Sequence, residues 1–189
     1  MVNKRMQALG IAVAAVLSAA LVTGCSSDHS ATGADADVMF AQMMIPHHEQ
    51  AVEMSTLAET RASDPFIIEI ASEIKGAQDP EIQLMASWLQ EWGFPQQSAE
   101  EAMSAHGGHS EQGMMGMLTQ EQLDELASLS GDAFDQKFAE YMILHHEGAI
   151  DMARGVENST NPEVAALAQA IIETQQTEID EMNAFLGQQ

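Results

Sequence analysis

A repeated motif limits what this 189-residue chain can fold into more than any other feature of its sequence. The segment Met44–Met54 reads MIPHHEQAVEM, and the segment Met142–Met152 reads MILHHEGAIDM. In both copies two adjacent histidines lie between two methionines at the same spacing, and imidazole with thioether is a ligand set for soft metal ions. The motif therefore predicts a metal site, and its candidate ligands are Met44, His47, His48, Met54, Met142, His145, His146 and Met152.

Apolar residues around both motifs recur at the spacing of an α-helix, which predicts a long helix through each motif. In each half a break and a second long helix follow, and Thr119 precedes a short additional helix between the halves. A duplicated helical hairpin packs most simply as a four-helix bundle. We therefore expect an all-α four-helix bundle over residues 37–187, with repeat one at 37–93, a linker at 94–118 and repeat two at 119–187.

The helical wheel separates the two histidines of each motif. His47 and His145 fall in the middle of the apolar stripe, whereas His48 and His146 fall on its edge. A buried imidazole needs a polar partner, and counting from the first turn places polar residues of the second helix near the level of His47. The partners predicted to orient the histidines, with direct coordination left open, are Gln78, Glu81, Gln175 and Glu178. In the structural alternative the histidines are ordinary core residues and the methionines only fill gaps in the packing.

The N-terminus has the pattern of a bacterial export signal. Two basic residues precede the apolar run Ala8–Val22, which is short for a membrane span, and Val22–Cys25 resembles a lipobox. We expect a signal peptide at 1–24, a lipid anchor on Cys25 and a flexible tether at 25–36, with the protein on the outer face of the cell membrane or in the periplasm. Because Cys25 is the only cysteine, the soft ligands left to the exported domain are methionines.

The linker between the repeats carries a second metal-binding pattern. Its histidines and methionines are interleaved with glycine and serine, a composition that cannot form a core and is typical of flexible metal-capture segments. The candidate ligands there are His106, His109, Met114, Met115 and Met117.

Ligand chemistry favours copper as the metal ion. Thioether with imidazole suits Cu(I), Cu(II) could use the imidazoles with oxygen ligands, and Ag(I) would compete for the thioethers. We expect sequestration or transfer of copper, with a copper-handling protein as a potential partner. A formal charge of −23 excludes nucleic acid as a partner.

An enzyme is the minor alternative, as a metal-dependent oxidoreductase. Di-iron bundles use Glu-x-x-His, but the residues three positions before the four motif histidines are Met44, Ile45, Met142 and Ile143. We therefore expect no catalytic activity.

The spacing Asp-x-x-Phe-x-x-x-Met-Ile-x-His-His-x-x-Ala-x-x-Met occurs in both halves, beginning at Asp37 and at Asp135. This double motif resembles the domain of unknown function 305 family over about Asp37 to Leu186. The resemblance implies a ferritin-like helical bundle. For some exported members it also implies copper binding tied to copper tolerance.

Overall fold

The protein is all-α, as the sequence predicted. The computed structural model describes residues 33–101 and 116–188, and no strand occurs among them. The described residues form one compact unit. Its helices are α1 (Gly33–Arg61), α2 (Pro65–Trp92), the short α3 (Gln120–Ser128), α4 (Asp132–Arg154) and α5 (Pro162–Leu186).

Local capping sets most of the helix ends. The Asp64 side chain accepts a hydrogen bond from the first turn of α2, and Asn161 does the same for α5. Thr119 and Gln122 form the predicted capping box of α3. α1 begins at Gly33 rather than at Asp37, so residues 33–36 of the predicted tether are helical.

The four long helices form two hairpins that join through their first members. α1 packs along α2, α4 packs along α5, and the contact between α1 and α4 connects the two hairpins. This is the predicted four-helix bundle of two repeated hairpins, with α3 as the short extra helix in the connection. No described helix is long and apolar enough to cross a membrane.

Two aspartates at equivalent motif positions connect the two hairpins, one at each end of the bundle. The Asp135 carboxylate accepts hydrogen bonds from the backbone N–H groups of Ser63 and Asp64 and from the Ser63 hydroxyl, in the α1–α2 turn. Asp37 accepts a hydrogen bond from the hydroxyl of Ser159, in the α4–α5 turn. Each repeat therefore contacts the turn of the other, which places the two turns at opposite ends of the bundle.

The apolar core is divided into two clusters. The cluster near the α1–α2 turn contains residues 51–58 of α1, and the cluster near the α4–α5 turn contains its residues 40–45. The His47–His48 pair lies between the two clusters, and the polar residues of the other long helices occupy the same interval. We call this interval the histidine layer; it comprises His47, His48, Gln78, Glu81, His145, His146, Gln175 and Glu178.

Candidate metal centre

The structure brings both histidine pairs into one place. All four motif imidazoles are 0% exposed, and the ring centroids of His47 and His145 lie 3.8 Å apart with the rings tilted by 41°. α1 and α4 run side by side and the end contacts fix their relative level, so the central histidines of the two repeats meet. The two copies of the motif therefore contribute to one shared centre between the hairpins.

The wheel places His48 and His146 on the edge of the apolar stripe, and it does not show how deeply they are buried. Both rings are as fully buried as those of His47 and His145. The second helix of each hairpin covers them, which a wheel drawn for one helix cannot show.

Each of these outer histidines contacts a carboxylate from its own hairpin. Nε2 of His48 lies 2.8 Å from Oε2 of Glu81, and Nε2 of His146 lies 2.7 Å from Oε2 of Glu178. The His48–Glu81 contact is a hydrogen bond, whereas Nε2 of His146 has no hydrogen-bond partner among the described residues. Glu81 remains 21% exposed at its side chain, against 9% for Glu178, so the first repeat is the side of the layer that is more open to solvent.

Burial and neighbouring imidazoles favour the neutral form of His145. Complete burial lowers the pKa of His145 well below its ordinary value of 6.5, and the charges that His47, His146 and His48 would carry lower it further. Neutral imidazole is the form that binds metal ions. The layer thus keeps His145 in a ligand state at neutral pH.

Several polar side-chain atoms in the layer are buried without a hydrogen-bond partner among the described residues. They include Nδ1 of His48, both ring nitrogens of His145 and His146, and the side-chain oxygens of Gln78 and Gln175. A buried acceptor with no donor costs about 1–3 kcal/mol. A bound cation would supply these lone pairs with a partner, so the donor chemistry of the layer fits a metal ion.

Methionines line both sides of the layer. Met54, Met142 and Met182 belong to the cluster near the α1–α2 turn, while Met44 and Met85 belong to the opposite cluster, against which Met152 packs. The sequence pattern predicted the motif methionines as candidate ligands, but it did not identify Met85 and Met182 as methionines beside the layer. Their signal was present in the sequence, because each follows its layer glutamate by one helical turn in both repeats.

Among the described residues no group of three or more His, Cys, Asp or Glu side chains is arranged to hold a metal ion. Methionine sulfur is not counted in such a group. The methionines of the two flanking clusters add thioether sulfur, a soft donor that suits Cu(I) or Ag(I) better than a hard divalent cation.

The linker returns to the bundle beside this layer. The Gln50 amide donates to the carbonyl of Leu118 at 3.0 Å and accepts from its backbone N–H at 2.7 Å. Gly116 has a φ of 79° and lies so close to α4 that a Cβ there would approach the carbonyl oxygen of Leu144 to 2.5 Å. Met117, between these two contacts, is half-buried. The other linker ligands, His106, His109, Met114 and Met115, lie outside the described residues, as does Cys25 with the predicted signal peptide.

Comparison with known proteins gives a consistent result. The family model described as Domain of unknown function (DUF305) matches residues 37–186. No curated protein matches the chain. A DUF305 protein from Streptomyces coelicolor, described as secreted, is similar at 32% identity and a TM-score of 0.72, over 81% of this chain and 93% of its own.

Two further solved structures show the same likeness. A DUF305 fragment from Deinococcus radiodurans is 30% identical with a TM-score of 0.70, over 82% of this chain and 97% of its own. CopM in its Cu(I)-bound form is 30% identical with a TM-score of 0.66, over 80% of this chain and 96% of its own. CopM is also known in Cu(II)-bound and Ag-bound forms.

Proposed function

This chain belongs to the DUF305 family, and we propose that it is an exported copper-binding protein that holds the ion in its histidine layer. The observation that carries the proposal is the layer itself. Four imidazoles are fully buried there between two apolar clusters, and two of them carry Nδ1 atoms with no hydrogen-bond partner among the described residues. Burial of so many lone pairs is unfavourable unless a cation or donor satisfies them.

Copper is the metal that the donor set favours. The layer supplies imidazole nitrogens, and the clusters on either side supply thioether sulfurs. Soft thioether ligands select Cu(I) over zinc, iron and manganese, and Ag(I) competes for the same donors. CopM, which is 30–33% identical to this chain, has been solved in Cu(I)-, Cu(II)- and Ag-bound forms. These structures support the choice of copper.

The proposed role is sequestration or transfer of copper rather than turnover of a substrate. We place the protein outside the cytoplasm, anchored by a lipid on Cys25, from the export pattern at its N-terminus and the secreted relative. Methionine is a durable soft ligand there, because cysteine thiols tend to be oxidised outside the cytoplasm. Transfer of the ion would require a copper-handling partner protein.

Anaerobic Cu(I) competition titration of the chain from Ser26 onward tests the proposal. We expect tight binding by the wild type and a large loss of affinity in the double variant His47→Ala/His145→Ala. Met39→Ala is the matched control, because it removes an exposed methionine of α1 and should leave affinity unchanged. Circular dichroism would establish that the double variant keeps its helices.

Two results would overturn the proposal. One is the absence of tight Cu(I) binding in the wild type, and the other is unchanged affinity and stoichiometry in a folded double histidine variant. A four-fold variant of the linker, with alanine at His106, His109, Met114 and Met115, separates the linker from the layer. It leaves the Gln50 contact to Leu118 in place and is expected to lower stoichiometry or uptake while the layer still binds.

A further inference from the structure

The contact of His48 with Glu81 identifies the ring nitrogen that His48 would offer to an ion. Nε2 of His48 lies 2.8 Å from the Glu81 carboxylate in hydrogen-bond geometry. An ionised carboxylate has only acceptor sites, so a hydrogen bond here requires the proton to lie on the ring nitrogen. This contact therefore selects the tautomer of His48 that is protonated at Nε2. Nε2 of His146 also lies close to a carboxylate, 2.7 Å from Glu178, but it forms no hydrogen bond with the described residues.

The opposite ring nitrogen is then the ligand atom. In a neutral imidazole with its proton on Nε2, the lone pair lies on Nδ1. Nδ1 of His48 is buried and has no hydrogen-bond partner among the described residues. A doubly protonated ring would instead place an N–H at this atom, where the described part of the chain provides no acceptor.

We infer that His48 binds a copper ion through Nδ1, and that Glu81 is a positioning residue that holds the Nε2–H tautomer and the ring orientation. The inference rests on the proposed function and deepens it. It assigns one of the two histidines that the wheel places at the edge of the apolar stripe, together with the atom that this histidine contributes. A carboxylate on the second nitrogen of a ligating histidine also raises the basicity of the ligand.

The two repeats differ at this contact. Pro80 precedes Glu81, whereas Thr177 precedes Glu178. Glu178 lies 2.7 Å from Nε2 of His146, but neither ring nitrogen of His146 has a hydrogen-bond partner among the described residues. The tautomer and the ligand atom are therefore assigned for His48 alone.

The tautomer can be read before any metal is added. In the apo protein labelled with ¹⁵N-histidine, long-range ¹⁵N–¹H NMR should show His48 protonated at Nε2 and unprotonated at Nδ1 at pH 7. Addition of Ag(I), a diamagnetic probe, should then move the Nδ1 resonance of His48 while its Nε2 proton is retained. This measurement uses the wild-type chain and does not depend on whether a variant folds.

Variants test the positioning role. Glu81→Ala should lose the fixed tautomer of His48 and weaken Cu(I) affinity about 10–100-fold. Glu81→Gln should recover part of both, because its amide oxygen can still accept the Nε2–H bond. Glu91→Ala, which removes an exposed carboxylate of the same helix, is the control and should change neither.

The outcomes separate this inference from the proposed function. Tight Ag(I) or Cu(I) binding with the ion on Nε2, or with Nδ1 protonated in the apo protein, would overturn the inference and leave the proposed function standing. A Glu81→Ala variant with unchanged affinity and an unchanged His48 tautomer would also overturn it. The absence of any histidine shift with Ag(I) and of any Cu(I) binding would refute both.

Discussion

Replacing Asp135 by alanine tests whether one buried carboxylate holds the two hairpins together at the α1–α2 turn. Asp135 is 2% exposed and accepts hydrogen bonds from Ser63 N–H, Asp64 N–H and the Ser63 hydroxyl, the last at 2.6 Å. Asp37 occupies the equivalent position in repeat one, but among the described residues it accepts one hydrogen bond, from the Ser159 hydroxyl at 2.9 Å. The motif makes the two aspartates equivalent, whereas the structure makes them unequal.

The expected losses in the free energy of unfolding follow from these hydrogen bonds. Hydrogen bonds to a charged group contribute about 1.5–3 kcal/mol each, but Ser63 is exposed and water can replace part of what the carboxylate provides. We therefore expect Asp135→Ala to lower the free energy of unfolding by about 2–4 kcal/mol. Asp37→Ala, with one hydroxyl donor, should cost about 1 kcal/mol.

Urea denaturation of the metal-free protein, followed by circular dichroism, measures both losses. Asp151→Ala is the control, because this exposed residue of α4 forms only a surface ion pair with Arg154 and should cost less than about 0.5 kcal/mol. Equal losses at Asp135 and Asp37, or a loss at Asp135 no larger than that of the control, would refute the reasoning. The denaturant slope should not change, since the fold is expected to survive.

Two further predictions concern the pH dependence of stability and the return of the linker. Because burial holds the pKa of His145 well below 6.5, the unfolded chain binds a proton that the folded chain does not. The stability of the metal-free protein should therefore fall as the pH drops below about 6.5, by about 1.4 kcal/mol per pH unit. Urea titrations between pH 7.5 and 5.5 measure this change in stability with pH, and His145→Gln should reduce it. If the pH dependence were unchanged in that variant, titratable groups other than His145 would cause it. Gly116→Ala should destabilise by about 2–4 kcal/mol, because its φ is 79° and its Cβ would approach the Leu144 carbonyl oxygen to 2.5 Å. Gly76→Ala, where a Cβ meets nothing within 4 Å, should instead stabilise the protein by about 0.5–1 kcal/mol. Thermal unfolding compares the stability of the two variants. A Gly116→Ala variant as stable as the wild type would contradict the close approach of Gly116 to α4.

Much of the fold could be predicted from local sequence signals. Asp64 with Pro65, Thr119 with Gln122, and Asn161 with Pro162 each act within a single helical turn, so their effect can be deduced without any tertiary contact. The start of α1 was predicted less well. Helix N-termini without a strong cap depend on packing, and residues 33–36 extend the helix beyond the point where the apolar period becomes regular.

The contacts between side chains of different helices in the candidate site could not be predicted from the sequence. A helical wheel gives the direction of a side chain from its own axis, which was sufficient to predict that His47 and His145 are buried. It does not show what lies opposite. The contact between these two rings, and the burial of His48 by the helix that carries Glu81, depend on how separate helices pack.

The sequence by itself determined that the chain contains two equivalent helical hairpins, each with a histidine pair between methionines, because repeat, period and caps are properties of neighbouring residues. Only the tertiary structure decided that the two motifs form one layer rather than two separate sites. The physical reason is the antiparallel packing of α1 and α4, held at the ends by Asp37 and Asp135. That packing brings together residues about a hundred positions apart, and no local signal specifies such a contact.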